Sequence, residues 1–100
     1  MGIAQAVKVF EADGGRPATK LTLLYLAFLA DRKGRIRDSG NQIGIRTGLA
    51  RTTIRRELDF LVATDLIEKT AHGRYQLLNT LNDPDFLEGA LAVPTKWPAH

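Results

Sequence analysis

Apolar residues recur at helical spacing in the first third of the chain. In residues 3–12 they lie at i, i+3, i+4 and i+7, which predicts a short helix that Asp13-Gly14-Gly15 ends. A second helix is predicted over residues 19–32, with Pro17 at its start and Lys33-Gly34 after it. This segment is apolar nearly all round, so it should form the buried spine of the domain. The apolar stripe of the first helix consists of Ile3, Ala6, Val7 and Phe10, and it either packs on its own domain or meets a partner chain. In the second helix the expected buried residues are Leu21, Leu24, Tyr25, Phe28 and Leu29, broadened by Leu23, Leu26 and Ala27.

The middle of the chain predicts a short helix over residues 42–47. Asp38 and Ser39 are suitable N-caps for it, and Ile43 should point inward. Gly48 follows directly, as is common where a helix ends in a left-handed residue.

A longer helix is predicted over residues 51–63, reached from the Gly48 turn through Leu49-Ala50, and Thr64-Asp65 should end it. Residues four or seven apart in a helix share one face, so this segment divides cleanly into two sides. The apolar side carries Ile54, Leu58, Leu61 and Val62. The opposite, polar side carries Arg51, Thr52, Arg55, Arg56 and Asp59.

Three short segments predict strands. Arg35-Ile36-Arg37 alternates polar and apolar residues, and Leu66–Thr70 and Arg74–Leu78 have the composition of strands. Ala71-His72-Gly73 between the last two is a short loop with glycine, which predicts a β-hairpin.

The C-terminal part predicts a short helix over residues 86–92 that Asp83 could cap, followed by an irregular tail in which Trp97 is expected as an anchor. With 100 residues, the chain has room for a single core, so we expect one domain over residues 1–100. Its core should span residues 17–78, with the N-terminal helix within 1–15 and an extension over 79–100.

Positive charge is concentrated in the middle of the chain. The whole sequence has a net charge of +3, but residues 16–78 contain twelve Lys and Arg against six Asp and Glu, which gives that block +6. Such a distribution is typical of nucleic-acid binders, although a solvated basic surface would look the same.

Residues 43–58, which read IGIRTGLARTTIRREL, resemble the helix-turn-helix core of bacterial winged-helix regulators. The stretch from Lys20 to Asp31 is also similar to the first helix of winged helices in phage and plasmid replication or regulatory proteins. The resemblance implies a mainly α (α+β) winged helix-turn-helix: a three-helix core and a hairpin wing, here with an extra N-terminal helix and a possible C-terminal one. One departure from the pattern is Ala50, which stands where Ser or Thr usually caps the second helix.

In a domain of this kind the 51–63 helix enters the DNA major groove, and the wing over residues 70–75 contacts the minor groove or a phosphate. Arginine can bind guanine through two hydrogen bonds, so Arg51, Thr52 and Arg55 are expected to read bases, and Arg56 a base or a phosphate. The alternative is an exposed helix held by pairs such as Arg55–Asp59. The full set of expected DNA-binding residues is Arg51, Thr52, Thr53, Arg55, Arg56, Arg46, Thr47, His72 and Arg74, with Lys20, Arg35 and Arg37 as weaker candidates.

Candidate chemistry other than binding is sparse in the sequence. There is no cysteine, and neither histidine has a neighbouring acid or nucleophile pattern, so we expect no enzymatic activity, no metal and no cofactor. No small-molecule ligand is evident. The N-terminal segment lacks the pattern of a signal peptide, and we expect a cytoplasmic, nucleoid-associated protein without membrane contact.

The sequence therefore predicts a double-stranded-DNA-binding protein, foremost a repressor that acts as a homodimer. Residues 3–12 and 83–98 are the apolar segments available for dimerisation, unless they only cap the core of the monomer. Two alternatives stay open: a phage or plasmid replication or partition protein, and a winged helix that binds only proteins.

Overall fold

The computed structural model of the protein describes residues 3–37 and 41–93. In this part of the chain, five α-helices and a three-stranded antiparallel sheet form an α+β fold whose order of elements agrees with the prediction. The predicted caps Asp38 and Ser39 and the predicted anchor Trp97 lie outside the described residues. The elements are α1 (Ile3–Glu11), α2 (Pro17–Leu29), β1 (Arg35–Arg37), α3 (Asn41–Thr47), α4 (Arg51–Ala63), β2 (Ile67–Ala71), β3 (Arg74–Leu77), a 3₁₀ helix (Asn79–Asn82) and α5 (Pro84–Leu91).

The three strands form one sheet in the order β1-β3-β2, so the hairpin strand β3 lies in the centre. Ile36 pairs with Tyr75, and Ile67 pairs with Leu77, which places these side chains on the face that meets the helices. Arg35 pairs with Gln76 and Arg37 with Arg74 on the opposite face. The outer face of the sheet is therefore polar and carries several cations.

The apolar pattern did not identify the buried face of α2. Leu21 and Phe28 were expected in the core, but they are 39% and 50% exposed. Because this helix is apolar on nearly every side, its periodicity could not select one face, and the packing against α4 decided. Leu29 is exposed as well, and Leu24 and Tyr25 are only partly buried. The buried residues of α2 are Leu23, Leu26 and Ala27, which were among those expected, together with Thr19 and Thr22, which were not.

The predicted apolar stripe of α1 packs on the domain only in part. Val9 and Ala12 enter the core and Ala6 packs against it, while Val7 is 47% and Phe10 is 73% exposed. Both sets of residues obey helical spacing, so the pattern allowed either face. The smaller side chains face inward because α1 packs directly on both α2 and the 3₁₀ helix.

The observed ends of several helices and strands differ from the predicted ends by one to three residues. Helix α2 begins at Pro17 and ends at Leu29 rather than Arg32, and β2 starts at Ile67 rather than Leu66. Helix α4 ends as predicted at Thr64-Asp65, where Asp65 has a φ of +62° and the N–H of Leu66 donates to the carbonyl of Leu61. The smaller shifts are α3 starting at Asn41, β3 ending at Leu77 and α5 running from Pro84 to Leu91, and the 3₁₀ helix was not predicted.

Within residues 79–93, the C-terminal extension contributes to the same core as the preceding elements. Leu81, Leu87 and Leu91 are all buried in the single cluster that also contains Leu23, Ile54 and other residues of α2 and α4. The predicted cap of α5 is confirmed, since the Asp83 carboxylate accepts the N–H groups of Asp85 and Phe86. In the described ranges, no helix combines the length and apolar character that crossing a membrane requires.

Candidate nucleic-acid interface

Helices α3 and α4 meet at a tight turn, as the sequence predicts. Gly48 has a φ of +76°, which favours glycine, and its N–H donates to the Gly44 carbonyl at 2.8 Å. A Cβ on Gly44 would lie 3.3 Å from Cδ1 of Ile54, so the small residue lets the two helices approach closely. The turn thus fixes the direction in which α4 leaves α3.

The polar side of α4 faces solvent along its whole length. Arg51, Thr52, Arg55, Arg56 and Asp59 are exposed and Thr53 is half-buried, while Ile54, Leu58 and Leu61 are buried on the other side. Arg55 and Asp59 form no ion pair, although both lie within the described ranges. The particular pair that the alternative interpretation named, Arg55–Asp59, is therefore not formed.

A buried ionic contact, which the sequence reading missed, holds α4 against the start of α2. Glu57 is 1% exposed, and its Oε1 accepts hydrogen bonds from Nη2 of Arg16 at 3.0 Å and Oγ1 of Thr19 at 2.6 Å. The Arg16 guanidinium also lies 5.6 Å from the centre of the Phe60 ring. Glu57 lies three residues after Ile54 and four before Leu61, so its place on the buried face was a detectable signal.

The start of α4 has no side-chain cap. Ala50 occupies the N-cap position with an extended backbone, and no side chain accepts a hydrogen bond there. The helix begins at Arg51, so neither Thr52 nor Thr53 occupies the N-cap position. The N-cap residue itself therefore supplies no side-chain acceptor to the first N–H groups of α4.

The hairpin of β2 and β3 turns at His72-Gly73, where Gly73 has a φ of +70°. A bulge between Lys69 and Ala71 interrupts the pairing just before the turn. His72 and Arg74 are both exposed, as a wing that contacts a ligand requires.

Tyr75 connects this hairpin to the polar side of α4. It is half-buried, and burial together with the nearby Asp59 carboxylate raises the pKa of its hydroxyl above the usual value of 10, while Arg55 acts in the opposite direction. Both α4 residues are therefore close enough to Tyr75 to affect its charge. Helix α4 also packs against strand β2 of this hairpin, so its polar side and the hairpin belong to neighbouring elements.

We expect the protein to lose stability more steeply above pH 10 because of Tyr75. Because folding raises the pKa of Tyr75, its neutral hydroxyl contributes fully to the free energy of unfolding below pH 10. This contribution is lost as the pH rises through the pKa of the folded state. Tyr75→Phe should therefore flatten the alkaline limb of stability measured by urea unfolding at a series of pH values. The same limb in both proteins would show that Tyr75 titrates normally.

The remaining candidates differ in how free their side chains are. Arg46 is exposed, but the Thr47 hydroxyl donates to the Ile43 carbonyl at 2.6 Å and accepts the Leu49 N–H at 3.3 Å. Of the weaker candidates, Lys20 donates to the Ala12 carbonyl and Arg35 pairs with Asp31 at 2.9 Å, so both have structural partners. Arg37 is exposed and has no ion pair to a described residue.

Comparison with known proteins finds no match: no protein-family model, no curated protein and no solved structure is significantly similar to this chain.

Proposed function

We propose that this protein is a winged-helix protein that binds double-stranded DNA in a sequence-specific manner and acts as a homodimeric repressor. In this proposal α4 enters the major groove, and the β2–β3 hairpin contacts the adjacent minor groove or backbone. Two copies would occupy half-sites about 34–36 Å apart, or a multiple of that, on a pseudo-palindrome.

The observation that carries the proposal is the division of α4 into two sides. One side is anchored by Ile54, Leu58 and the buried Glu57, and the other presents Arg51, Arg55 and Arg56 to solvent. A helix used only to bind another protein would favour apolar residues at the centre of that exposed side, because charged residues are depleted in the core of protein–protein interfaces. The Gly48 turn and the adjacent hairpin support the same function, since they place exposed cations on two neighbouring elements.

A salt titration of DNA binding tests the proposal. Cations that neutralise phosphates release counterions, so log K should fall linearly with log salt, with a slope of about −0.9 for each phosphate contacted. A dimer with six or more such contacts should lose on the order of a thousandfold in affinity between 50 and 200 mM salt. Fluorescence anisotropy with a duplex selected from random DNA measures this slope. A flat response, or no binding to any selected or genomic fragment, would exclude DNA as the ligand.

Exposed apolar side chains on α1 support the homodimer. Phe10 is 73% and Val7 is 47% exposed, and α2, which packs directly on α1, exposes Phe28. Helix α5 is a weaker candidate because Leu87, Ala90 and Leu91 are used in the core of the monomer. We therefore place the proposed interface on α1 and the adjoining side of α2.

Phe10→Ser should shift the protein from dimer to monomer, because it removes a large apolar side chain from the proposed interface without touching the core. Sedimentation velocity over a range of concentrations measures the shift. Deletion of residues 1–12 is a less clean test, since it also removes Val9 and Ala12 from the core. Ile45→Ser on α3, where Ile45 is 73% exposed as well, is the matched control and should leave the mass unchanged. An unchanged mass for Phe10→Ser would exclude α1 as the interface.

A further inference from the structure

A cleft of about 420 Å³ lies between the end of α2, strand β1 and helix α3. Among the described residues, three arginines line it, Arg35 and Arg37 from the strand and Arg46 from the helix, together with one carboxylate, Asp31. The seven described residues that line the cleft carry a net charge of +2.

The carboxylate in the cleft is already bound. Asp31 accepts hydrogen bonds from the N–H of Arg35 and of Lys33, both at 2.9 Å, and its other oxygen lies 2.9 Å from Nε of Arg35. The backbone hydrogen bond from Arg35 is the main reason that the pKa of Asp31 is held below its usual value of 3.8. Asp31 thus neutralises Arg35, and within residues 3–37 and 41–93 no carboxylate lies at ion-pair distance from Arg37 or Arg46.

Arg37 also faces a like charge across the sheet. It pairs in register with Arg74, so the two side chains project from the same face of β1 and β3. Like charges directly opposite each other destabilise a sheet. A bound anion would offset this repulsion as well as the charge of Arg46.

The cleft has room for more than an inorganic anion. Its volume lies within the range of roughly 300–1,000 Å³ that is common for small-molecule sites. Tyr25 and Leu29 of α2 give it an apolar and aromatic wall, and Gln42 adds a neutral hydrogen-bonding group.

We propose that this cleft binds a small phosphate monoester with an aromatic or apolar body. Arg37 and Arg46 would contact the phosphate, whose charge of about −1.5 to −2 at neutral pH matches these two cations, which pair with no carboxylate in residues 3–37 and 41–93. Tyr25 and Leu29 would contact the body. A phosphodiester carries only one negative charge and fits this site less well. The site is separate from the polar side of α4 and does not depend on the proposed DNA binding.

Isothermal titration calorimetry with phenyl phosphate tests the proposal. Phenyl phosphate should bind about tenfold more tightly than inorganic phosphate because its ring is removed from water against Tyr25 and Leu29. It should also bind roughly tenfold more tightly than methyl phenyl phosphate, the diester with a single charge. Arg37→Gln and Arg46→Gln should each weaken binding by about tenfold, since each removes a charge-assisted hydrogen bond. Arg32→Gln, which changes an exposed arginine that does not line the cleft, is the matched control and should bind like the unchanged protein.

Three results would overturn the proposal. Equal binding of inorganic and phenyl phosphate would show that the cleft attracts any anion. An equal loss in Arg32→Gln would show that the binding follows the overall charge of the protein. If methyl phenyl phosphate bound as tightly as phenyl phosphate, and a duplex without terminal phosphates displaced both, the cleft would be part of a nucleic-acid surface instead. The failure of DNA binding in the salt titration would leave the phenyl phosphate result unaffected, so the two proposals fail separately.

Discussion

Arg55→Ala is expected to weaken binding to a selected duplex by about 1–3 kcal/mol, or roughly 5- to 150-fold, and to relax base preference at one position. The reason is that Arg55 is exposed on α4, makes no ion pair with Asp59 and lies beside the hairpin residue Tyr75. Its guanidinium is therefore available to bind guanine through two hydrogen bonds. Anisotropy titrations against the duplex and its single-base variants measure both the affinity and the preference.

Arg32→Ala is the control for this experiment. It removes an exposed arginine of the same charge that lies outside α4 and the hairpin, so base preference should be unchanged. A uniform weakening of all sequences by Arg55→Ala, with a salt slope reduced by about one, would assign Arg55 to a phosphate instead of a base. No change in affinity would remove Arg55 from the interface.

Arg16→Met is expected to reduce the free energy of unfolding by about 2–4 kcal/mol, because it leaves a buried carboxylate without its cation. Glu57 is 1% exposed, and after the substitution only the Thr19 hydroxyl would bind it. The side chain of Arg16 is itself 28% exposed, so the effect should lie below that of a fully buried pair. Urea unfolding followed by circular dichroism measures the loss.

Two further variants separate the buried charge from simple loss of an ion pair. Arg16→Met combined with Glu57→Leu should regain most of the stability, since an apolar pair needs no hydrogen bonds. Arg35→Met breaks the exposed pair with Asp31, whose side chains are 58% and 45% exposed, and should cost less than about 1 kcal/mol. Losses of the same size in Arg16→Met and Arg35→Met would contradict the role assigned to Glu57.

Residues 41–63 were the part of the fold most accessible from sequence. Both ends of α4 lie at the predicted residues, Arg51 and Ala63. The prediction that Ile54 faces the core and Arg55 faces solvent is also confirmed, because apolar and polar residues recur there with an unambiguous helical period. The Gly48 turn and the His72-Gly73 hairpin were equally readable, since each requires a backbone angle that favours glycine.

Other features depended on contacts between segments distant in the chain. The partner of Glu57 lies 41 residues away at Arg16, and the neighbours of Tyr75 come from α4, so local spacing carried no information about them. The arginines of the cleft come from β1 and α3, whose side-by-side position depends on how α2 packs.

The sequence by itself determined the order of helices and strands, the tight turn before α4 and the cationic character of that helix, because these follow from local periodicity and backbone preference. Only the tertiary structure decided which sides of α1 and α2 are buried. Both helices offer apolar residues on more than one side, and the choice between them is made by the shape and polarity of the surfaces they pack against. The exposure of Phe10 on α1 and of Phe28 on α2 follows from that choice.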